Sequence, residues 1–236
     1  MDKKYGIDDF IEIIKRLRDE NGCPWDKVQT HDTLRPCMME EAAELLAAIR
    51  IYNQSGSAEN MQEELGDILL QVVMHSVIAQ EEGHFSFEDV VDEVTKKMIY
   101  RHPHVFGNDT VHSSTEQLEK WEELKKKEKE GKEWLISPLR DIPPELPSLT
   151  RAAKVVRKSE QIYYVENEVN KNIEDLQNNL TKLAKIQDTD DLKSYEKILS
   201  KMLLDISSIA AKKRISPEQI LEDEIDKIIE KYEPKM

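Results

Sequence analysis

Between Met39 and Val73 the chain reads as two helices broken by one short polar segment, Asn53 to Asn60. A connection that short folds the second helix back as an antiparallel neighbour of the first. Each helix carries a close acidic pair, Glu41 and Glu44 on one and Glu64 and Asp67 on the other. Residues three apart share a helix face, so four carboxylates are expected to converge on one spot. A helical acid ordinarily has a Lys or Arg three or four residues away. Here those neighbours are Cys37 and Leu45 for Glu41, Ala47 and Ala48 for Glu44, Asn60 and Ile68 for Glu64, and Leu70 and Gln71 for Asp67. Converging carboxylates without a cation repel and cost free energy. The pattern therefore points to a divalent metal ion. Ligands that are all carboxylate oxygen suit Mg²⁺ or Mn²⁺ and argue against zinc. One Glu-x-x-Glu in a chain that is 35% charged reads as a solvated face. Two such pairs on adjoining helices, each beside apolar residues, do not.

The rest of the chain is helical in pattern. Strong helix formers dominate and glycine is scarce, 7 of 236 residues, which places the chain in the all-α class. Ile7, Phe10, Ile11, Ile14 and Leu17 follow helical spacing, and Asn21-Gly22 ends that helix. Cys23-Pro24-Trp25-Asp26 is a loop in which Trp25 reads as a packing anchor, with base stacking as the alternative. Thr30 or Asp32 is expected to cap the next helix, with Pro36 in its first turn and its end near Tyr52. His31-Asp32 is thereby read as a helix start rather than a metal-binding dyad. Further helices are expected over about 58–82, 87–101 and 113–129, with a loop at Arg101-His102-Pro103-His104-Val105-Phe106-Gly107. His102 and His104 there read as loop-shaping residues. Four prolines, Pro138, Pro143, Pro144 and Pro147, mark residues 131–147 as an extended linker. Helices resume at about 149–164, 165–185, 192–212 and 217–232.

The second half echoes the first. Phe85-Ser86-Phe87-Glu88-Asp89-Val90-Val91 aligns with Ile215-Ser216-Pro217-Glu218-Gln219-Ile220-Leu221, and Leu69–Ala79 resembles Leu203–Ala211 in pattern. That suggests a diverged duplication. The acids are missing from the copy, since no Glu-x-x-Asp occurs after residue 150. The expected domains are thus 1–130 with the metal site, the linker 131–147, and a degenerate helical domain 148–236.

The formal net charge of −14 argues against sequence-independent binding of nucleic-acid polymers, which needs a basic face. It leaves room for nucleotides, because a metal bridges acids to phosphates. No apolar run approaches a membrane span, and the N-terminus shows no signal-peptide pattern. Two cysteines, Cys23 and Cys37, form no disulfide framework and no zinc motif, which fits a reducing, cytoplasmic compartment. No Ser-His-Asp or Cys-His arrangement and no Gly-rich phosphate loop stands out.

Several stretches taken together resemble the MazG family of all-α nucleoside triphosphate pyrophosphohydrolases. They are Gly22-Cys23-Pro24-Trp25-Asp26 with Gln29-Thr30-His31, Glu40-Glu41-Ala42-Ala43-Glu44, Glu63-Glu64-Leu65-Gly66-Asp67, and Arg101 through Gly107. Lys120-Trp121-Glu122 and Asp141-Ile142-Pro143 extend the resemblance toward the tandem form, two helical bundles in one chain. The resemblance implies Mg²⁺-dependent hydrolysis between the α and β phosphates of a nucleoside triphosphate by a metal-activated water, in a homodimer. It implies Glu41, Glu44, Glu64 and Asp67 as metal ligands, with Glu40 or Glu41 as base. It implies Lys97 and Arg101 at the phosphates, and Trp121 and Lys125 at the nucleotide. The degenerate second copy keeps an alternative open, a non-catalytic nucleotide-binding or dimerising module.

Overall fold

The computed structural model describes residues 3–110, 113–129, 137–187 and 190–233. Among them are ten α-helices and no strand. The chain divides into two compact units, residues 1–128 and 129–236.

The first unit holds α1 (Ile7–Arg18), α2 (Arg35–Ser55), α3 (Glu59–Glu81), α4 (Phe87–Arg101), the single turn α5 (Pro103–Phe106) and α6 (Ser114–Lys129). Helix α3 is the central element and packs on α1, α2 and α4. Its C-terminal half is apolar nearly all round, as a helix surrounded by others must be. Val73, Met74, Val77 and Ile78 close there on Ile11 and Ile14 of α1 and on Leu34, with Phe10, Leu70 and Phe87 at the margin. Each fully buried aliphatic side chain contributes about 1.5–3 kcal/mol.

The segment between α1 and α2 is irregular, yet firmly tied. Gly22 donates its N–H to Asp19, and Cys23 donates to Leu17 at 2.8 Å. The chain passes so close that a Cβ at position 22 would lie 2.3 Å from the Leu17 carbonyl oxygen, so only glycine fits. Arg18, its side chain 5% exposed, clamps the same segment. Its guanidinium donates to the Asp26 and Gln29 carbonyls at 2.7 and 3.1 Å, and to both carboxylate oxygens of Glu81 at 2.9 and 2.7 Å.

Three expectations are corrected here. Neither Thr30 nor Asp32 caps α2, which starts at Arg35 with Leu34 before it. Thr30 and Thr33 instead bond each other's backbone N–H through their hydroxyls, a turn that uses up the cap chemistry. Trp25 is no packing anchor, being 57% exposed. The stretch 101–107 is mostly a helical turn, because Pro103 starts α5 where its missing N–H costs nothing.

The second unit holds α7 (Ser148–Tyr163), α8 (Val169–Ile186), α9 (Leu192–Lys213) and α10 (Pro217–Tyr232). Helix α9 packs on the other three, as α3 packs on α1, α2 and α4. Ser86 caps α4 by accepting from Asp89 N–H, and Ser216 caps α10 by accepting from Gln219 N–H. The pairing of Ser86 with Ser216 is the one the sequence alignment makes. The centre of this unit is more polar, with Asn167, Asn179, Ser207 and Ser208 buried. Of the expected linker, residues 131–136 lie outside the described residues. Residues 137–147 are a run of turns rather than an extended strand. Backbone bonds run from Asp141 to Ser137 and from Ile142 to Leu139, and Lys158 of α7 bonds the Pro138 carbonyl. Buried Ile142 fixes that run in place.

Candidate metal centre

Helices α2 and α3 are joined by Gly56, whose φ of +75° ends α2 in a left-handed turn, and by two further residues, Ser57 and Ala58. They pack side by side along their length. This brings Glu41 of α2 against Glu64 and Asp67 of α3, with one carboxylate oxygen from each within 4.8 Å of the others. All three side chains are half-buried at the edge of the core. The Asn60 side-chain amide, one turn before Glu64, donates to its carboxylate at 2.7 Å and fixes its direction. No Lys or Arg pairs with the trio among the described residues.

The electrostatic consequence falls on Glu41. Burial, then the negative charges of Asp67, Glu44, Glu64 and Glu40, push its pKa above the ordinary 4.5. Glu44 and Glu40 are more exposed and stand beside the trio rather than within it. Of the four acids expected to converge, the structure therefore draws three together and leaves Glu44 as a near neighbour. An all-carboxylate donor set, oriented by a neutral amide and short of positive charge, fits a hard divalent cation.

A second group forms where α4 ends against α6. The Arg101 guanidinium lies 5.5 Å from the Trp121 ring centre, and the Lys125 ammonium lies 5.1 Å from it. Arg101 also makes a two-pronged ion pair with Glu128, with its Nε 3.0 Å from one oxygen. Lys97, one turn earlier on α4, pairs with Glu93 at 3.1 Å. Thus Arg101, Trp121 and Lys125 are one cluster, and Lys97 stands on the same helix as Arg101.

Sequence reasoning missed two features of this unit. The rings of His31 and His75 stack 5.0 Å apart with their Nδ1 atoms at 2.7 Å, tying the segment before α2 to the middle of α3. Forty-four positions separate these histidines, so no local pattern announces them. His31 Nε2 and His84 Nε2 both face Glu82, at 3.6 and 3.7 Å. The other feature is Gln71, buried on α3 among apolar neighbours.

Fold and site together define an all-helical protein with a carboxylate centre between two antiparallel helices. The MazG nucleotide pyrophosphohydrolase domain matches residues 29–106, the stretch from before α2 through α5. The nucleoside triphosphate pyrophosphohydrolase/pyrophosphatase MazG of Thermotoga maritima is 34% identical over 232 residues, covering 98% of this chain and 86% of that one. The chain belongs to the MazG family. A nucleoside triphosphate pyrophosphohydrolase of Escherichia coli K12 is 44% identical over 153 residues, 64% of this chain and 56% of that protein. The uncharacterized protein YabN of Bacillus subtilis is 46% identical over 146 residues, and this chain spans 29% of its length.

Proposed function

We propose that this chain hydrolyses nucleoside triphosphates at the α–β phosphoanhydride, releasing a nucleoside monophosphate and pyrophosphate with Mg²⁺, or Mn²⁺ in its place. The observation that carries this reading is the trio Glu41, Glu64 and Asp67, three carboxylates within 4.8 Å that no Lys or Arg pairs with among the described residues. They lie inside the stretch that the MazG domain matches. The Thermotoga and Escherichia relatives are named for this activity.

Glu41, Glu64 and Asp67 would hold the cation, with Glu44 completing the acidic edge. When bound, the cation supplies a Lewis acid for phosphate oxygens and acidifies the water that attacks. Glu41, or exposed Glu40 beside it, would accept that water's proton. Arg101, Lys125 and Lys97 would offset charge on the phosphates. Arg101 trades Glu128 for phosphate in doing so, since the guanidinium fork serves either anion. The Trp121 ring offers a flat face to the nucleotide. The degenerate second unit and a homodimeric assembly belong to the same proposal. Supporting the latter, Leu46 of α2 is 66% exposed, and Leu65 and Leu69 are exposed on α3, an apolar surface of the kind that marks an interface. The free thiols Cys23 and Cys37 suit a cytoplasmic setting. Among the described residues no helix is long and apolar enough to cross a membrane.

The test is product identity. Purified chain with Mg²⁺ and a panel of triphosphates is expected to release pyrophosphate and monophosphate, not orthophosphate. Glu64→Gln should lower turnover by more than the roughly 10–100-fold that loss of an outer-shell partner costs, with its circular dichroism unchanged. Tight nucleotide binding without turnover would instead support the non-catalytic module.

A further inference from the structure

Two buried side-chain polar atoms lack a hydrogen-bond partner among the described residues, and one is Oε1 of Gln71. The other is Nδ1 of His104, while several buried polar groups of the described residues are satisfied. Ser76 donates to the Val72 carbonyl, Ser207 to Leu203, Ser208 to Leu204, and Asn167 to Ser208. A buried acceptor left without a donor is rare in native proteins and calls for a reason. Gln71 is 5% exposed and sits where the apolar core of α3 begins, beside Leu70, Val73 and Met74.

Helix geometry places it. At 3.6 residues per turn, Gln71 lies about 40° around α3 from Asp67 and about 20° from Glu64, on the acid-bearing face. It is one turn, about 6 Å, beyond Asp67. Side chains on a helix lean toward its N-terminus, so a long side chain at position 71 reaches back over the turn that carries Asp67. Since Glu41 stands against Asp67 and the two helices are antiparallel, the α2 position level with Gln71 is near Cys37, four residues before Glu41 on the same face. By this helix geometry the unpaired oxygen falls toward the inner end of the carboxylate centre.

We propose that Gln71 is a positioning residue of this centre, its side-chain oxygen accepting a hydrogen bond from a water in the coordination shell of the cation held by Glu41, Glu64 and Asp67. The inference rests on the metal reading given above. Mg²⁺ and Mn²⁺ sites of few carboxylates retain waters, and each water turns its hydrogens outward, away from the ion. The ligating carboxylate oxygens are already directed to the cation. An acceptor behind them, buried and neutral, meets that need without adding to the negative charge. Outer-shell groups of this kind orient the first shell and tune its affinity.

The test uses the full chain and Mn²⁺ alone as probe, titrated by the electron paramagnetic resonance signal of free Mn²⁺, with no nucleotide and no turnover. Gln71→Met keeps size and removes the acceptor. It is expected to weaken Mn²⁺ binding about 10–100-fold, while the metal-free unfolding midpoint holds or rises because the unpaired atom is gone. Gln71→Glu keeps an oxygen acceptor and, with its added charge, is expected to bind Mn²⁺ with at least about a third of wild-type affinity, a rescue a purely structural role would not give. Mn²⁺ binding by Gln71→Met within threefold of wild type overturns the proposal, as does equal weakening in both variants. Should Gln71→Met fail to fold, Gln71→Asn decides, since it keeps the amide but withdraws the oxygen by about one bond, ~1.5 Å; weakened Mn²⁺ binding supports the proposal and unchanged binding overturns it. A wild-type chain that binds no Mn²⁺ overturns the metal centre itself. Wild-type binding that Glu64→Gln abolishes and Gln71→Met leaves alone overturns the role of Gln71 only.

Discussion

Glu41→Gln should reverse its effect on stability according to whether metal is present. In the metal-free chain Glu41 faces Glu64 and Asp67 with ligand oxygens within 4.8 Å. Two like charges at that distance repel by about 0.9 kcal/mol in bulk water and about 3.5 kcal/mol at an effective dielectric of 20. The side chains are half-exposed, so solvent screening holds the total near the lower end. Neutralising Glu41 should therefore stabilise the metal-free protein by about 1–2 kcal/mol at pH 7, or about 2–4 °C per kcal/mol for a chain of this size. With Mg²⁺ at 100 times its dissociation constant, wild type gains about 2.7 kcal/mol, and the variant, short of one ionised ligand, gains much less. The order of melting temperatures then inverts.

The pH dependence carries the same sign. Glu41 binds its proton more tightly in the folded chain than in the unfolded one, so ionising it favours unfolding. Its contribution to stability is whole below the ordinary 4.5 and is lost as pH rises through the raised value. Without metal, the wild-type and variant curves should lie closest near pH 4.5 and separate toward neutrality. Differential scanning fluorimetry with EDTA and with MgCl₂, from about pH 4 to 8, reads all of this. A metal-free Glu41→Gln that melts below wild type at pH 7, or an equal Mg²⁺ shift in both, would refute the reasoning.

Two further outcomes concern the scaffold around the centre. Arg18→Met removes two carbonyl contacts and the paired bonds to Glu81; it should cost about 2–4 kcal/mol in urea unfolding and change the Trp25 fluorescence of the freed segment, whereas a loss below about 0.5 kcal/mol would show that the clamp is idle. His75 is held below its ordinary 6.5 by burial and then by His31, so the unfolded chain binds the proton more readily; the stability it contributes is present above pH 6.5 and lost as pH falls below. His75→Phe, which keeps a stacking ring, should flatten that loss between pH 7 and 5.5 in urea midpoints, and parallel curves would contradict it.

The acidic centre was largely legible in sequence because its ingredients are local. Spacing of three on a helix fixes a shared face, and a short connection fixes the return of the second helix. What spacing alone left open was distance. Glu44 obeys the same rule as Glu41 yet stands outside the trio, since azimuth on α2 and the depth at which α3 packs decide which carboxylates meet. The Trp25 expectation failed for a related reason. A large ring in a loop buries itself only if other elements cover it, and none covers more than part of it here. Thr30 and Asp32 are good caps by residue type, but the Thr30–Thr33 turn engaged first.

The amino-acid sequence by itself determined the helical class, the acidic pairs on α2 and α3, the two-unit echo through Ser86 and Ser216, and the absence of like acids in the second half. All of these depend on residue type at short separation. Tertiary structure alone decided that His31 meets His75, that Arg18 reaches Glu81, that Arg101 meets Trp121, and that Gln71 is buried with an unpaired oxygen. Those facts join positions whose separation along the chain carries no periodic signal, and only the packing of helices against one another brings them within reach.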